Sequence, residues 1–307
     1  MSKAASLTRV AIAYVLAFGA ATGWLLWGPD TRWLWLDGLL ADLVATLVVF
    51  AASRVHRNSS FYDAYWSILP PYLALYWWLA ADVARDDARA WLVLGVIALW
   101  AVRLTGNWIV TFPGLHHEDW RYPLVRARAG RLELLADLVG IHLVPTLQVF
   151  LGLVPAYVVL TRAGSGLRWL DGVALVVGVG AVVLAFVADR QMQRFARERT
   201  PGQVMDRGLW AWSRHPNYFG EISFWWSLAL FGIAASPADW WWLPVGGVAM
   251  LAMFLGASIP MMEQRSLERR PAYREVVARV PVLVPRPPRS ARSARSARSA
   301  RSAGSAG

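Results

Sequence analysis

Eight long apolar segments constrain this chain more than any other feature of its sequence. Each is about 20 residues long, the length that an α-helix needs to cross the hydrocarbon core of a bilayer. The segments cover residues 8–27, 33–53, 62–81, 90–112, 134–160, 169–188, 218–236 and 240–260. More apolar segments follow the first one, and no small-residue cleavage site lies directly after it. We therefore do not predict that the first segment is a removable signal peptide. We predict an all-α fold, a polytopic membrane helical bundle of about 7–8 transmembrane helices.

Composition supports a membrane protein and excludes several soluble classes. Hydrophobic residues make up 57% of the 307 residues, charged residues make up 17%, and the mean hydropathy is +0.38. Soluble domains typically carry about 25% charged residues. The chain contains no Cys, which excludes disulfide scaffolds, thiolate zinc sites, iron–sulfur clusters and thiol nucleophiles.

The basic residues predict how the chain is oriented in the membrane. Of the 31 Lys and Arg residues, 25 fall in the connections on one side of the apolar segments and five in those on the other. Because Lys and Arg are enriched in cytoplasmic loops, we expect both termini to be cytoplasmic. The net charge of +11 is then mostly a consequence of topology, and we expect no nucleic-acid partner.

Two regions of different character make up the chain. We predict that residues 1–288 form a single multi-span membrane domain. Residues 289–303 are five copies of Arg-Ser-Ala, and Gly-Ser-Ala-Gly follows them. This segment lacks apolar periodicity, so we predict that residues 289–307 are a disordered basic tail that contacts anionic membrane lipids.

A first group of polar residues lies in the loop after the fourth apolar segment. It reads Leu115-His116-His117-Glu118-Asp119-Trp120-Arg121-Tyr122-Pro123. The His-His-Glu-Asp run contains metal-binding side chains, but membrane di-iron enzymes need several such His boxes and the chain has only five His. We therefore predict no metal site. A loop that closes over a cofactor and a merely solvated loop both remain open.

A second and denser group occupies residues 189–221. We expect Asp189–Phe195 to continue the sixth helix onto the membrane surface, until the Thr200-Pro201-Gly202 sequence ends it. Pro216 suits a first helical turn, where its missing N–H is not needed. The helix N-terminus that Pro216 predicts, with Arg214 beside it, is a candidate anion site, because Arg forks match phosphate oxygens in pairs.

The helix that follows carries further polar side chains into the apolar segment. Asn217 and Glu221 are four residues apart and share one helix face, with Tyr218 beside them. Glu221 lies about one helical turn inside the apolar segment, where a carboxylate needs a donor partner. We interpret this group, together with His215, as a site for a nucleotide-type cofactor.

The motif Trp212-Ser213-Arg214-His215-Pro216-Asn217-Tyr218-Phe219-Gly220-Glu221 resembles the C-terminal signature of the steroid 5-alpha-reductase superfamily, and within it the bacterial family of unknown function DUF1295. The resemblance extends over about residues 60–285. It includes Asp63-Ala64-Tyr65-Trp66, Arg103-Leu104-Thr105, the loop 117–122, Ile259-Pro260 and Arg269-Arg270-Pro271. It implies a membrane oxidoreductase that uses NADPH to reduce a carbon–carbon double bond conjugated to a carbonyl. The implied substrate is lipophilic, steroid-like or isoprenoid-like, and enters from the bilayer. The implied location is the bacterial inner membrane, with the cofactor site on the cytoplasmic side.

The resemblance also assigns roles to individual residues. Asp189 is similar to the acidic cofactor contact, Arg199 to the phosphate-binding Arg, and Asn217 and Glu221 to residues near the nicotinamide. Arg121 and Tyr122 resemble loop residues that close on the nucleotide, and Arg214 and His215 belong to the cofactor-binding motif. For the acid that hydrogen-bonds the substrate carbonyl, the candidates are Tyr218 and Asp63, the latter only if burial keeps it protonated.

The sequence departs from the eukaryotic enzymes of that superfamily in three places. Ala185 stands where they have an Asn, Trp100 stands where they have a steroid-facing Tyr, and their C-terminal cofactor His has no counterpart near Glu263.

Two other functions remain open at this point. Arg-His-Pro-x-Tyr before an apolar segment is also similar to isoprenylcysteine carboxyl and phospholipid methyltransferases, which use S-adenosylmethionine. A non-catalytic protein that binds lipid or sterol is the third reading. The sequence determines neither the substrate nor the oligomeric state, nor whether the protein resides in a bacterial inner membrane or in the endoplasmic reticulum.

Overall fold

The computed structural model describes residues 2–83 and 87–287. Arg85 and Asp86 of the third connection, and the predicted tail 289–307, lie outside these residues. Within them the chain forms α-helices, short 3-10 and π-helical segments, and no β-strand. The α-helices are α1 (Lys3–Trp27), α2 (Leu34–His56), α3 (Tyr65–Ala81), α4 (Ala88–Thr111), α5 (Arg121–Ala129), α6 (Glu133–Ala136), α7 (Val144–Thr161), α8 (Trp169–Glu198), α9 (Pro216–Ala235), α10 (Val245–Met253), α11 (Ile259–Arg269) and α12 (Tyr273–Arg279).

Six helical stretches in the described part are long and apolar enough to cross a membrane. They are Lys3–Trp27, Leu34–His56, Ala88–Thr111, Arg121–Thr161, Trp169–Glu198 and Val245–Arg269. The predicted all-α polytopic membrane bundle is thereby confirmed, with six such stretches where the sequence indicates seven or eight. Helix α3 has only 17 residues, because a 3-10 turn at Ser59–Phe61 precedes it and the helix begins at Tyr65 rather than at residue 62. Helix α9 has 20 residues, but polar side chains such as Asn217 and Glu221 lower its hydropathy.

The chain divides into two compact units. Unit 1 comprises Met1–Val176 and Trp225–Ala249, and unit 2 comprises Val177–Phe224 and Met250–Gly307. In unit 1, α1 packs on α2, and α3 packs on α2, α4 and α7. Its core is aromatic, with Trp77, Trp100 and Trp225 fully buried. Gly38 makes room for this core, because a Cβ there would lie 2.6 Å from Nε1 of Trp77.

A buried ion pair joins the start of α4 to the start of α8 inside unit 1. Arg89 donates through Nε to Oδ1 of Asp171 at 2.7 Å and through Nη2 to Oδ2 at 2.9 Å. Arg89 also donates to the carbonyl oxygen of Gly166. Both side chains are almost fully buried, so this bidentate pair fixes the geometry of the connection between α7 and α8.

Helices α8 and α9 approach closely in unit 2. A Cβ on Gly220 of α9 would lie 2.7 Å from the carbonyl oxygen of Ala181 and 2.9 Å from Cβ of Ala185. Ala185, the residue that replaces a family Asn, is therefore a small residue in a tight helix contact. Small residues are typical of such close contacts between membrane helices.

The cytoplasmic end predicted for α8 is anchored by an apolar cluster. Ala188 and Phe195 of α8 pack with Met205 and Trp210, and Nε1 of Trp210 donates to the Ala188 carbonyl oxygen at 3.0 Å. Helix α8 ends at Glu198, directly before the Thr200-Pro201-Gly202 sequence that predicted its end. The loop therefore folds back along α8 before it enters α9.

Candidate functional site

In unit 2, a hydrogen bond brings together two residues that the resemblance assigns to cofactor binding. Nδ2 of Asn217, in the first turn of α9, donates to Oδ1 of Asp189 on α8 at 3.2 Å. Oδ1 of Asn217 accepts from the backbone N–H of Tyr218 at 3.0 Å. Helix α9 begins at Pro216 as predicted, which places Asn217 where its side chain reaches α8.

Aromatic contacts fix the neighbouring tyrosine. The rings of His215 and Tyr218 are stacked, with centroids 5.3 Å apart and planes at 10°. The ring of Tyr218 also contacts the ring of Phe254, at a centroid distance of 4.8 Å. Glu221, one turn further along α9, is only 6% exposed. The first two turns of α9 therefore present an amide, a phenol and a buried carboxyl group within unit 2.

Arg214 is engaged by the protein itself. Its guanidinium donates to both carboxylate oxygens of Glu263, through Nε at 2.6 Å and Nη2 at 3.1 Å. Nη1 donates to the carbonyl oxygens of Val277 at 2.9 Å and Val280 at 3.0 Å. Since an Arg has five N–H donors, a single donor is left, too few for the two-pronged grip on a phosphate. The contact of Arg214 with a cofactor stays a prediction. The contacts that its guanidinium makes are those of a residue that positions other parts of the protein.

Glu263 of α11 organises this region, and the sequence did not identify it as a site residue. Besides its bonds with Arg214, Glu263 has its Oε1 within hydrogen-bond distance of Nε2 of His215, at 3.1 Å. Glu263 is 49 positions away from Arg214 along the chain, so no local spacing connects the two. The only sequence signal was an acidic residue that follows Pro260 in a helix rich in Arg.

The segment before α9 also holds the C-terminal part of the described chain. The backbone N–H of Arg214 donates to the carbonyl oxygen of Pro281 at 2.9 Å. The hydroxyl of Ser213 donates to the carbonyl oxygen of Leu283 at 2.7 Å. The conformation of the Arg-His-Pro motif is therefore set by residues of the C-terminal region that lie in the same unit.

Arg199 lies exposed just beyond α8, and it belongs to a group of arginines. The pKa of Arg270 is lowered, first by burial and then by the charges of Arg199 and Arg269. In the described residues none of these three side chains forms an ion pair with a carboxylate, whereas Arg54, Arg89 and six other arginines are paired in this way. Such a group is electrostatically suited to an anion.

An open hollow of about 420 Å³ lies along α11 in the same unit. Its lining residues are Pro260, Glu263, Gln264, Leu267, Glu268 and Arg274. Glu263 thus borders the hollow while it holds Arg214 and His215.

In unit 1, the first polar loop is tied to the protein through Glu118. Oε1 of Glu118 accepts from the backbone N–H of Ser59 at 2.7 Å, and Oε2 pairs with Arg126 at 2.5 Å. Nδ2 of Asn58 donates to the carbonyl oxygens of Leu115 and His117. The loop is therefore structured rather than merely solvated. Across residues 2–83 and 87–287, no group of His, Asp and Glu is placed to hold a metal ion.

The loop residues with predicted roles have different partners. Arg121 pairs with Asp119 within the loop, through Nε to Oδ1 at 2.9 Å and Nη2 to Oδ2 at 3.0 Å. The hydroxyl of Tyr122 donates to Oδ1 of Asp63 at 2.5 Å. The structure thus brings Tyr122 and Asp63 together in unit 1, as it brings Asp189, His215, Asn217 and Tyr218 together in unit 2.

The surroundings of Asp63 act on its pKa in opposite directions. Burial raises the pKa of Asp63 to about 6, although the hydrogen bond from Tyr122 lowers it. Asp63 and Tyr218 both stay candidates for the acid.

The fold defines the class of this molecule as a multi-pass helical membrane protein. The sequence profile of the family described as "Protein of unknown function (DUF1295)" matches residues 49–280, well over half of the chain. The chain therefore belongs to the DUF1295 family, as the sequence predicted.

A fungal protein is also similar to this chain. It is an uncharacterized protein of Schizosaccharomyces pombe, 28% identical over 274 residues, and the alignment covers 81% of this chain and 79% of that protein. No solved structure matches the chain.

Proposed function

We propose that this protein is an NADPH-dependent reductase that acts on a carbon–carbon double bond conjugated to a carbonyl in a lipophilic substrate. The observation that carries the proposal is the hydrogen bond between Asn217 and Asp189. These residues lie on different helices, and the resemblance to steroid 5-alpha-reductases assigns both to the same cofactor. We infer that these two polar groups lie together at the end of an apolar helix because both bind the same ligand.

The donor set of unit 2 fits a phosphorylated dinucleotide. The amide of Asn217 has two N–H donors and two acceptor lone pairs, and its protein bonds use one of each. Arg199 has no carboxylate partner in the described part of the chain, and Arg269 and Arg270 add to the positive charge around it. A phosphate attracted to these arginines and a polar ring system held by Asn217 match the two kinds of group in NADPH.

NADPH, when bound, would supply hydride to the β-carbon of the enone. The protein's own part is to orient the reactants and to stabilise charge on the substrate carbonyl oxygen. Tyr218 is the residue we assign to this task, through a hydrogen bond from its hydroxyl. The stacked ring of His215 and the contact with Phe254 hold that phenol in place. The proton that completes the reduction is added at the α-carbon.

The proposal includes a location and a route for the substrate. Because the apolar helices place the protein in a bilayer, a lipophilic enone reaches it by lateral diffusion from the lipid. We place the protein in a bacterial inner membrane with its cofactor site facing the cytoplasm, where the arginine-rich connections are expected.

Protection against heat separates this function from its two alternatives. A ligand that binds only the folded state stabilises it by RT ln(1 + L/Kd), where L is the free ligand concentration, so the unfolding temperature rises with the logarithm of the ligand concentration above its Kd. We expect NADPH to protect the protein in nanodiscs, and S-adenosylmethionine to have no effect. Protection by S-adenosylmethionine alone would support a methyltransferase. Protection by sterol or lipid with neither cofactor would support a binding protein.

A further inference from the structure

A polar stripe runs along the buried face of α2 in unit 1, and the proposed reductase function does not use it. Asp42, Thr46 and Ser53 lie on this face, and all three are buried. Asp42 is 0% exposed. Ionisable side chains inside membrane segments are costly and therefore mark functional sites by default.

One oxygen of the Asp42 carboxyl group is satisfied and the other is not. Oδ1 accepts from the hydroxyl of Tyr65 at 3.0 Å and lies 3.4 Å from the hydroxyl of Thr46. Oδ2 is buried and has no hydrogen-bond partner among the described residues. A buried polar atom in this state has a substantial desolvation cost.

Hydroxyl groups form a continuous chain away from Asp42. The Thr46 hydroxyl lies 3.1 Å from that of Thr146 on α7, and the Thr146 hydroxyl lies 2.8 Å from that of Tyr62. The ring of Tyr62 meets the imidazole of His142 edge-on at a centroid distance of 5.1 Å. His142 in turn bonds Ser53 and the Asp137 carbonyl. The hydroxyl chain therefore leads from the buried carboxyl group to Tyr62, whose ring packs against a buried imidazole.

Asp42 differs in its charge balance from Asp137 and Asp171, two other buried aspartates of unit 1. Asp137 pairs with Arg54 at 2.9 Å and Asp171 pairs with Arg89 at 2.7 Å. Within residues 2–83 and 87–287, no Lys, Arg or His lies within ion-pair distance of Asp42. The titratable groups that face it are tyrosines: Tyr65, Tyr62, and Tyr14 of α1, whose ring lies 6.2 Å from that of Tyr65. An ionised carboxylate in such surroundings would be uncompensated.

We propose that Asp42 is a proton-binding site that exchanges its proton through the hydroxyl chain Thr46–Thr146–Tyr62. The proton on the carboxyl group is passed to the lone pair of the Thr46 hydroxyl, which gives its own proton to the Thr146 hydroxyl, and that one gives its own to Tyr62. The Tyr62 hydroxyl in turn gives a proton to solvent water, which is the final acceptor. Asp42 becomes a carboxylate at that moment and is neutral again when a proton returns along the same chain. The site binds hydrogen ions whether or not the protein is a reductase.

Infrared spectroscopy of the protein in nanodiscs tests the site directly. A protonated carboxyl group has a C=O band separate from the carboxylate bands, and the band shifts when its proton is replaced by a deuteron. We expect this band in the wild type at neutral pH and its loss in Asp42→Asn. A wild-type minus Asp42→Asn spectrum that shows carboxylate bands would overturn the proposal. So would a protonated band that appears only when sodium is removed, because the site would then hold sodium.

Exchange kinetics test the chain. After transfer to D₂O, the Asp42 band should shift more slowly in Thr146→Val than in the wild type, because valine has the same shape and no hydroxyl. Thr161→Val is the matched control on α7, since that hydroxyl bonds only the carbonyl oxygen of Tyr157, and it should exchange like the wild type. Equal rates in all three proteins would refute the relay. This comparison keeps Asp42 in place, so it also decides the case if Asp42→Asn does not fold.

Discussion

Asn217 and Asp189 are joined by a hydrogen bond of 3.2 Å between an amide nitrogen on α9 and a carboxylate oxygen on α8. The pair lies where α9 leaves the loop and where Gly220 allows the two helices to approach. Any ligand that is held by one of these side chains will therefore be sensitive to the other.

A double-mutant cycle should reveal this dependence. We expect Asn217→Ala and Asp189→Ala each to weaken NADPH binding, and the double variant to be weaker by less than the sum. Contacting residues typically show a coupling energy of about 0.5–3 kcal/mol. Titration of cofactor binding in detergent measures the four affinities. Ser223→Ala, which removes only a hydroxyl that bonds the Phe219 carbonyl within α9, serves as the control. Strict additivity would mean that the two residues do not share a ligand.

Replacing Glu221 with Gln should impair use of the cofactor. The change keeps the size of the side chain and removes its charge and its purely accepting character. We expect a loss of about 1.5–3 kcal/mol, the range for hydrogen bonds to charged groups, measured as NADPH affinity and turnover. Glu198→Gln, on the exposed end of α8, should behave like the wild type. If both variants keep wild-type affinity, Glu221 is not at the cofactor.

Glu263 should contribute more to the stability of unit 2 than Glu268, which lies on the same helix. Glu263→Ala leaves Arg214 and His215 without their shared acceptor, and the side chains of the Arg214–Glu263 pair are only 10% and 16% exposed. Breaking a buried pair in this way costs about 3 kcal/mol or more. Glu268→Ala on the same helix, which bonds only Gln264, should cost much less. Unfolding free energies of the two variants give the comparison, and similar values would remove Glu263 from its organising role.

Asp63 should make stability depend on pH in a defined window. Burial raises the pKa of Asp63 to about 6 from its ordinary value of 3.8, so the folded state binds the proton more tightly than the unfolded state. Its contribution to stability is therefore fully present below about pH 4 and is lost as pH rises through about 6. At about 1.4 kcal/mol per pKa unit, the unfolding free energy of the wild type relative to Asp63→Asn should fall by up to about 3 kcal/mol across that window. A difference that stays constant from pH 4 to 8 would contradict the assignment.

Local sequence signals predicted the features that depend on local chemistry. Pro216 placed the start of α9, the Thr200-Pro201-Gly202 sequence placed the end of α8, and apolar length identified the membrane helices. The length of α3 was overestimated at its start, because an apolar run does not show that a 3-10 turn at Ser59–Phe61 delays the helix until Tyr65.

Long-range partners could not be predicted from the same signals. The pairing of Arg214 with Glu263 and the hydroxyl contacts of Asp42 join residues that are far apart in sequence, and only packing brings them together. For this reason the sequence assigned Arg214 to an anion, whereas four of its donors are taken by the protein.

The most direct test of the central claim follows a labelled hydride. Purified protein in nanodiscs is supplied with NADPH that carries deuterium at nicotinamide C4 and with a series of lipophilic enones, and the products are analysed by mass spectrometry. We predict a reduced product with deuterium on its β-carbon, and much slower formation of that product in Glu221→Gln. Transfer of a methyl group from S-adenosylmethionine to lipid, with no deuterium in any enone, would contradict the proposed function.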